Sequence, residues 1–305
     1  MREQIDNVVR VLEARFGVIR EIAPYQTWGR TVVVGGIVGD DRRSVVLKAT
    51  AERDVLVEAA TLRLVRGAGV PAPQLLEVGE DLALPGGRWI VMERAGGSRL
   101  ADVADHDLDS VLRSLAACLS RLHGIGRDGY GWLSPAGVGR FDSSNWLRHV
   151  LSEDLLILQT HRAIRPEVAG ALEACFAGNA SELDRRSARL LHGDLGDTEV
   201  FVDENLEVTA VVDWADAVVG DPLYDFARFV AGGPAADPRP ARMRPEVERF
   251  YTHPQHIVDA DHYYSLYRAH NAVRNAAWSL VNAPEWVNDL VDFATAEASK
   301  AATPP

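Results

Sequence analysis

Apolar residues recur along this chain with two different periods. Ile5, Val8, Val9, Leu12 and Phe16 fall three or four apart, which predicts an amphipathic helix over residues 1–20. Period two follows. β-Branched runs predict strands at Thr31–Val38 and Ser44–Ala49, joined by a turn at Gly39-Asp40-Asp41. A second helical stretch, Asp54–Arg66, is closed by Gly67 and Gly69 and stopped by Pro71 and Pro73. Short strands at Leu75–Val78 and Trp89–Glu93 then lead into Ala95-Gly96-Gly97. The order strand, strand, helix, strand, strand describes a small sheet carrying one helix.

Beyond about residue 98 the helical period dominates. Leu108, Val111, Leu112, Leu115, Leu119 and Leu122 form one stripe, and most later segments repeat its spacing. The exception is 189–214. There Val200–Val202 and Val208–Val212 flank Asp203-Glu204-Asn205 and predict a β-hairpin with acidic residues at both ends. Gly232–Pro245, dense in Pro and Gly, reads as a mobile insertion. The expected class is α+β, with a sheet-bearing part at 1–95 and a mainly helical part at 96–305.

Composition narrows the function. The 305 residues suffice for one large or two modest domains. A net charge of −12 argues against non-specific nucleic-acid binding, which depends on neutralising phosphates. Cys118 and Cys175 are the only thiols and form no CxxC, so neither a disulfide scaffold nor a zinc ribbon is expected. The N-terminal residues are polar and mixed in charge, unlike a signal peptide, and no apolar run reaches the roughly 18–20 residues that span a bilayer. A soluble cytoplasmic protein without membrane partners is the expectation. One number stands out: of 32 basic residues only Lys48 and Lys300 are lysines. Genome bias explains the arginines, but a lysine inside an apolar run needs its own reason.

Lys48 at a strand end, Glu58 on the next helix, His192-Gly193-Asp194, and Asp213 after the hairpin occur in that order. Phosphoryl transfer from a nucleotide needs such parts. A cation holds the phosphates and is steered by a carboxylate, a base takes the hydroxyl proton, and acidic ligands hold Mg²⁺. The strings VVLKA (45–49), EAATLRLVRGAGVPAPQLL (58–76), WIVMERAGG (89–97), LHGDLGDTEVFVD (191–203) and VVDWADAVVGDPLYDFA (211–227) carry a resemblance. In order and spacing, over about residues 25–230, the chain resembles the aminoglycoside phosphotransferase family, small-molecule relatives of the protein kinases.

The resemblance implies a bilobal protein-kinase-like fold, with a small antiparallel-sheet N-lobe bearing one helix and a larger, mainly helical C-lobe. It implies transfer of the γ-phosphate of ATP or GTP, with Mg²⁺, to a hydroxyl of a small molecule. Lys48 would bind the nucleotide phosphates and Glu58 would pair with it. Asp194 would be the base, Asp213 a Mg²⁺ ligand, and the backbone from Glu93 to Ala95 would meet the nucleotide base. Thr27 and the amides near Gly29 would cap the phosphates, in a loop with one glycine where protein kinases carry several.

One position departs from the pattern. The family places a metal-binding Asn seven residues after the His; here it is Glu199. An active kinase with an altered second metal position is the first expectation, and a weakened metal site is its rival. His192 is expected to brace the loop, Asp221 and Asp225 to be structural, and Asp216 to line the acceptor side. His123 reads as a satisfied helix-end residue, and Trp132, Trp146, Trp214, Trp278 and Trp286 as core. The acceptor region, about 130–180 and 235–295, mixes Glu153, Asp154, Asp261, Glu285 and Asp289 with Arg148, Arg162, Arg268 and Arg274. An antibiotic of aminoglycoside, macrolide or nucleoside type fits, giving resistance or self-resistance. The alternatives are a metabolic kinase of choline, homoserine or a sugar, and a catalytically impaired nucleotide- or ligand-binding protein.

Overall fold

The computed structural model describes residues 2–24, 31–39, 42–230, 245, 247–253 and 260–301. Thr27, Gly29 and residues 232–244 of the Pro/Gly-rich stretch lie outside them. Helix α1 (Arg2–Phe16) ends sooner than its spacing suggests, and Ile19–Pro24 forms an edge strand, β1. Pairing of β1 with β2 (Thr31–Val38) wins over a further helical turn. With β3 (Arg43–Thr50), β4 (Leu75–Glu80) and β5 (Arg88–Glu93) they make one antiparallel sheet in the order β1-β2-β3-β5-β4.

Alternation along β3 decides where Lys48 goes. Val45, Leu47 and Ala49 are fully buried in one core with Val8 and Leu12 of α1 and Val32 and Val34 of β2. Val46 and Lys48 therefore point to the opposite face. That face meets α2 (Val55–Gly67), whose first turn is capped by Asp54 Oδ1 accepting from the Leu56 N–H at 3.0 Å. Helix α2 buries Val55, Leu62 and Val65 in the second, larger core, which is shared with the C-terminal helices. The sheet thus bears a helix on each face, where the sequence suggested one.

The Leu stripe forms α3 (Leu108–His123) and is buried as expected. Around it stand α4 (Asn145–Thr160), α5 (Pro166–Gly178), α6 (Ala180–Leu183), α7 (Leu223–Val230), α8 (Ala260–Asn282) and α9 (Val287–Ala301). The hairpin forms as β10 (Val200–Val202) and β11 (Val208–Val211), and β6 (Ser98–Arg99) joins it as a third strand. A four-stranded sheet of β7 (Tyr130–Leu133), β8 (Gly139–Phe141), β9 (Arg189–Leu191) and β12 (Val218–Gly220) is added in the order β8-β7-β12-β9. Its strands are three or four residues long, too short for periodicity to reveal.

This second sheet positions the site. β9 delivers the chain to His192, and β12 brings the segment after Asp213 back beside it, with Val218 opposite Leu191. The approach is so close that residue 193 must be glycine. Its φ is +80°, and a Cβ there would lie 2.1 Å from the Asp216 carbonyl oxygen. No described helix is long and apolar enough to cross a membrane.

Candidate active site

Lys48 is 7% exposed, and its Nζ lies 2.8 Å from Glu58 Oε2 and 2.6 Å from Asp213 Oδ1. Burial opposes the ammonium charge, but the two carboxylates outweigh it and hold the Lys48 pKa above its ordinary value. Lys48 in turn holds the Asp213 carboxyl below the usual range. Burial pushes the Glu58 carboxyl up against the pull of Lys48, and Glu58 also accepts from the Trp214 N–H. Asp213 sits just past β11 with φ +63° and ψ +62°, a left-handed conformation that Asp tolerates better than most residues. Lys48 and Glu58, expected to pair, are thus brought together, and Asp213, expected as a metal ligand, joins them.

The segment after β9 is held from below by α7. Asp225, fully buried, accepts from the N–H groups of His192 and Gly193, each at 2.8 Å, and its Oδ2 lies 3.0 Å from His123 Nε2. Burial alone would raise its pKa, but the hydrogen bond from His123 prevails and the carboxyl lies below its ordinary value. His192 Nε2 donates to the Val212 carbonyl at 2.8 Å while its Nδ1 accepts from the Asp194 N–H at 3.3 Å, so the ring braces the loop as expected. His123 also lies 2.8 Å from the Tyr251 hydroxyl and is satisfied. Asp221 binds Arg186 Nε at 2.5 Å and the Tyr267 hydroxyl at 2.9 Å, a structural role.

Asp194 is not alone. Arg228 of α7 donates to its Oδ1 from Nε at 2.7 Å and again from Nη2. Glu199 accepts from the Thr198 hydroxyl at 2.6 Å. Burial pushes the Glu199 carboxyl up, and the charges of Asp194 and Asp213 add to that shift. Among the described residues no three His, Cys, Asp or Glu side chains gather as a ready-made metal cage. A Mg²⁺ ion that takes one or two carboxylates and completes its shell with phosphate oxygens requires no such cage.

Two cavities meet at Lys48 and Asp213. One, of about 460 Å³, lies between the N-terminal sheet and the hairpin, with Val33, Val46, Met92, Phe201 and Val212 among its walls. Glu93 and Ala95 line its rim. The Glu93 and Arg94 N–H groups are taken up by the Gln74 and Ser44 carbonyls. Among the described residues no hydrogen bond takes up the Ala95 N–H. The other cavity, of about 710 Å³, is the more polar of the two and reaches from Asp194 and Asp213 to Asp154, Arg274 and Trp278.

In the polar cavity Asp216 accepts from Arg53 Nε at 3.1 Å and from Arg274 Nη2 at 2.5 Å, which together hold its carboxyl well below the usual range despite burial. Both guanidinium carbons lie 5.7 Å from the Trp132 ring centre. Burial pushes Asp154 up to about 6, against the pull of Arg274. Trp146 and Trp214 are core as expected, whereas Trp278, 45% exposed, and Trp286 line this cavity instead. Trp286, in the turn between α8 and α9, still packs partly against the core. Arg228 and Arg53 were not singled out by sequence, and Arg274 was counted only among the charges of the acceptor region. For Arg228 the signal was available: it falls three residues after Asp225, on the same helical face.

Comparison with known proteins accords with this geometry. The profile of the phosphotransferase enzyme family (APH) matches residues 37–256. Hygromycin-B 4-O-kinase of Escherichia coli is 27% identical over 171 residues, 53% of this chain and 48% of that protein. Acyl-CoA dehydrogenase family member 10 of Mus musculus is 25% identical over 177 residues, which span 56% of this chain and 16% of that protein. The matched segments therefore cover about half, or less, of these relatives. Among solved structures, a thermostable mutant of aminoglycoside phosphotransferase APH(4)-Ia, in ternary complex with ADP and hygromycin B, superimposes with a TM-score of 0.79. Its identity is 19%, covering 97% of this chain and 99% of that one. ADP-bound aminoglycoside phosphotransferase APH(2'')-Ib follows with a TM-score of 0.65 at 16% identity, covering 98% of each chain. These likenesses fix the fold as the protein-kinase-like fold of the aminoglycoside phosphotransferases, and with the family profile matching well over half its length, the chain belongs to the phosphotransferase enzyme family.

Proposed function

We propose that the chain is an antibiotic kinase, moving the γ-phosphate of a nucleoside triphosphate to a hydroxyl of an aminoglycoside of the hygromycin kind and so conferring resistance. One observation carries the reading. Lys48, fixed by Glu58, lies at the junction of an apolar cavity suited to a nucleotide base and a polar cavity containing Asp194. Residues 1–95 act as the nucleotide lobe and 96–305 as the catalytic and acceptor lobe. The cytoplasm, where nucleoside triphosphates are abundant, is the place of action.

The apolar walls and the Ala95 N–H at the rim fit a purine of ATP or GTP, and Lys48 would meet its phosphates. Asp213 and Glu199 offer the oxygen donors Mg²⁺ takes, and the excess of negative charge around Glu199 favours a divalent cation. These two residues would hold the ion, which when bound supplies positive charge against the phosphate oxygens. Asp194 orients the acceptor hydroxyl and takes its proton as that oxygen bonds to the γ-phosphorus and the bond to the nucleoside diphosphate breaks. Lys48 balances charge on the phosphate oxygens, and no covalent enzyme intermediate is needed.

Release of ADP or GDP with Mg²⁺, measured across hygromycin B, other aminoglycosides, a macrolide, choline and homoserine, tests the proposal. Turnover with hygromycin B or another aminoglycoside is expected. Turnover confined to choline or homoserine would make the protein a metabolic kinase. Tight binding with no turnover under Mg²⁺ or Mn²⁺ would make it a ligand-binding relative.

A further inference from the structure

The Arg228–Asp194 contact has an unusual form for an arginine beside a carboxylate. Such pairs commonly engage both oxygens through two parallel hydrogen bonds. Here Nε and Nη2 converge on Oδ1 alone. The carboxylate remains 39% exposed, and both residues line the polar cavity. Arg228 itself is 21% exposed. Burial opposes its charge, but Asp194 outweighs that and keeps the guanidinium protonated.

Helix α7 supplies the rest of the arrangement. Asp225 grips the backbone of His192 and Gly193, and Arg228, three residues on and on the same face, grips the side chain of Asp194. One short helix thereby sets both the path of the loop and the rotamer of its carboxylate. We propose that Arg228 is a positioning residue for phosphoryl transfer: it pins Oδ1 of Asp194 so that Oδ2 faces the acceptor hydroxyl. This rests on Asp194 being the base. Two donors on one oxygen hold the carboxylate against rotation, and a base displaced by about 1 Å can cost on the order of 10²-fold in rate.

Kinetics of Arg228→Gln, Arg228→Lys, Asp194→Asn and the Arg228→Gln/Asp194→Asn double variant, with Mg-ATP and hygromycin B, test the proposal together with a crystal structure of Arg228→Gln. Arg228→Gln should lower kcat by roughly 10²-fold with KM for ATP and affinity for ADP little changed, and Arg228→Lys should recover part of that loss. In the Asp194→Asn background the Arg228→Gln change should cost little more, because Arg228 acts through Asp194. A merely structural arginine would cost the same in both backgrounds. In the crystal structure the Asp194 carboxylate should leave its position while residues 192–193 stay in place. Wild-type kcat in Arg228→Gln, an undiminished cost in the double variant, or an unmoved Asp194 carboxylate would each overturn the proposal. Full activity in Asp194→Asn would instead remove Asp194 as base, and the crystal structure would still decide whether Arg228 fixes its side chain.

Discussion

Arginine supplies 30 of the chain's 32 basic side chains, yet position 48 holds lysine. The space between Glu58 and Asp213 suits a compact ammonium, since one nitrogen meets both carboxylates at 2.6–2.8 Å. A forked, planar guanidinium is bulkier and spreads its charge and donors over three nitrogens. Lys48→Arg should therefore lower kcat by about 10²-fold or more, the scale of losing one electrostatic stabiliser. Steady-state kinetics check this, and an unchanged rate would return Lys48 to the compositional background. Asp154 has a different signature. Its folded-state pKa, about 6, lies above the ordinary 3.8 because of burial. The folded protein therefore holds a proton the unfolded chain has released, and stability falls as pH rises from about 4 to 6. Asp154→Asn should raise Tm at pH 8 and leave it nearly unchanged at pH 4, as thermal unfolding at the two pH values would reveal. Lys48, Glu58, Asp194 and Asp213 were legible in the sequence because chemistry restricts their type and spacing. Asp154 and Arg274 were counted only as charges, since which of many acidic and basic residues face one cavity depends on tertiary packing.

At the scale of elements, α7 matters more to the site than its eight residues suggest. The sequence marked Asp225 as structural, and the fold gives the reason: its carboxylate closes the hydrogen bonds of two loop N–H groups and meets a buried histidine. Asp225→Ala would leave those donors and His123 without their acceptor, a cost of about 3–5 kcal/mol. Denaturant unfolding should show that loss, in contrast to Asp194→Asn, whose effect belongs to turnover. The long strands and the α3 stripe were readable because five or more residues establish a period. The three-residue strands β9 and β12 were not, although they set the register that brings Asp213 beside His192. Edge strand β1 was hidden by helical spacing that runs on from α1.

Across the whole molecule, charged contacts link the two sides of the cleft. Lys48 on the sheet binds Asp213 beyond the hairpin, and Arg53, between β3 and α2, binds Asp216 beside α8. The Arg53 side chain is 43% exposed, so its ion pair contributes about 1 kcal/mol or less to stability. Its place in the wall of the polar cavity gives it a different weight in function. Arg53→Ala should raise KM for the acceptor more than KM for the nucleotide while Tm stays close to wild type. A change confined to the nucleotide would contradict that placement. The bilobal fold was legible from the order of the motifs, whereas the shape of the polar cavity was not, because it is assembled from α4, α8 and the segment after Asp213, which are distant in sequence. Transfer of labelled γ-phosphate from ATP to hygromycin B, compared between the wild-type protein and Asp194→Asn under Mg²⁺, tests the central claim most directly. The expected result is a phosphorylated product from the wild type and a rate lower by about 10²–10⁴-fold in the variant, with ADP affinity retained. Equal rates for the two proteins, or no product from the wild type with any hydroxylated acceptor, would contradict it.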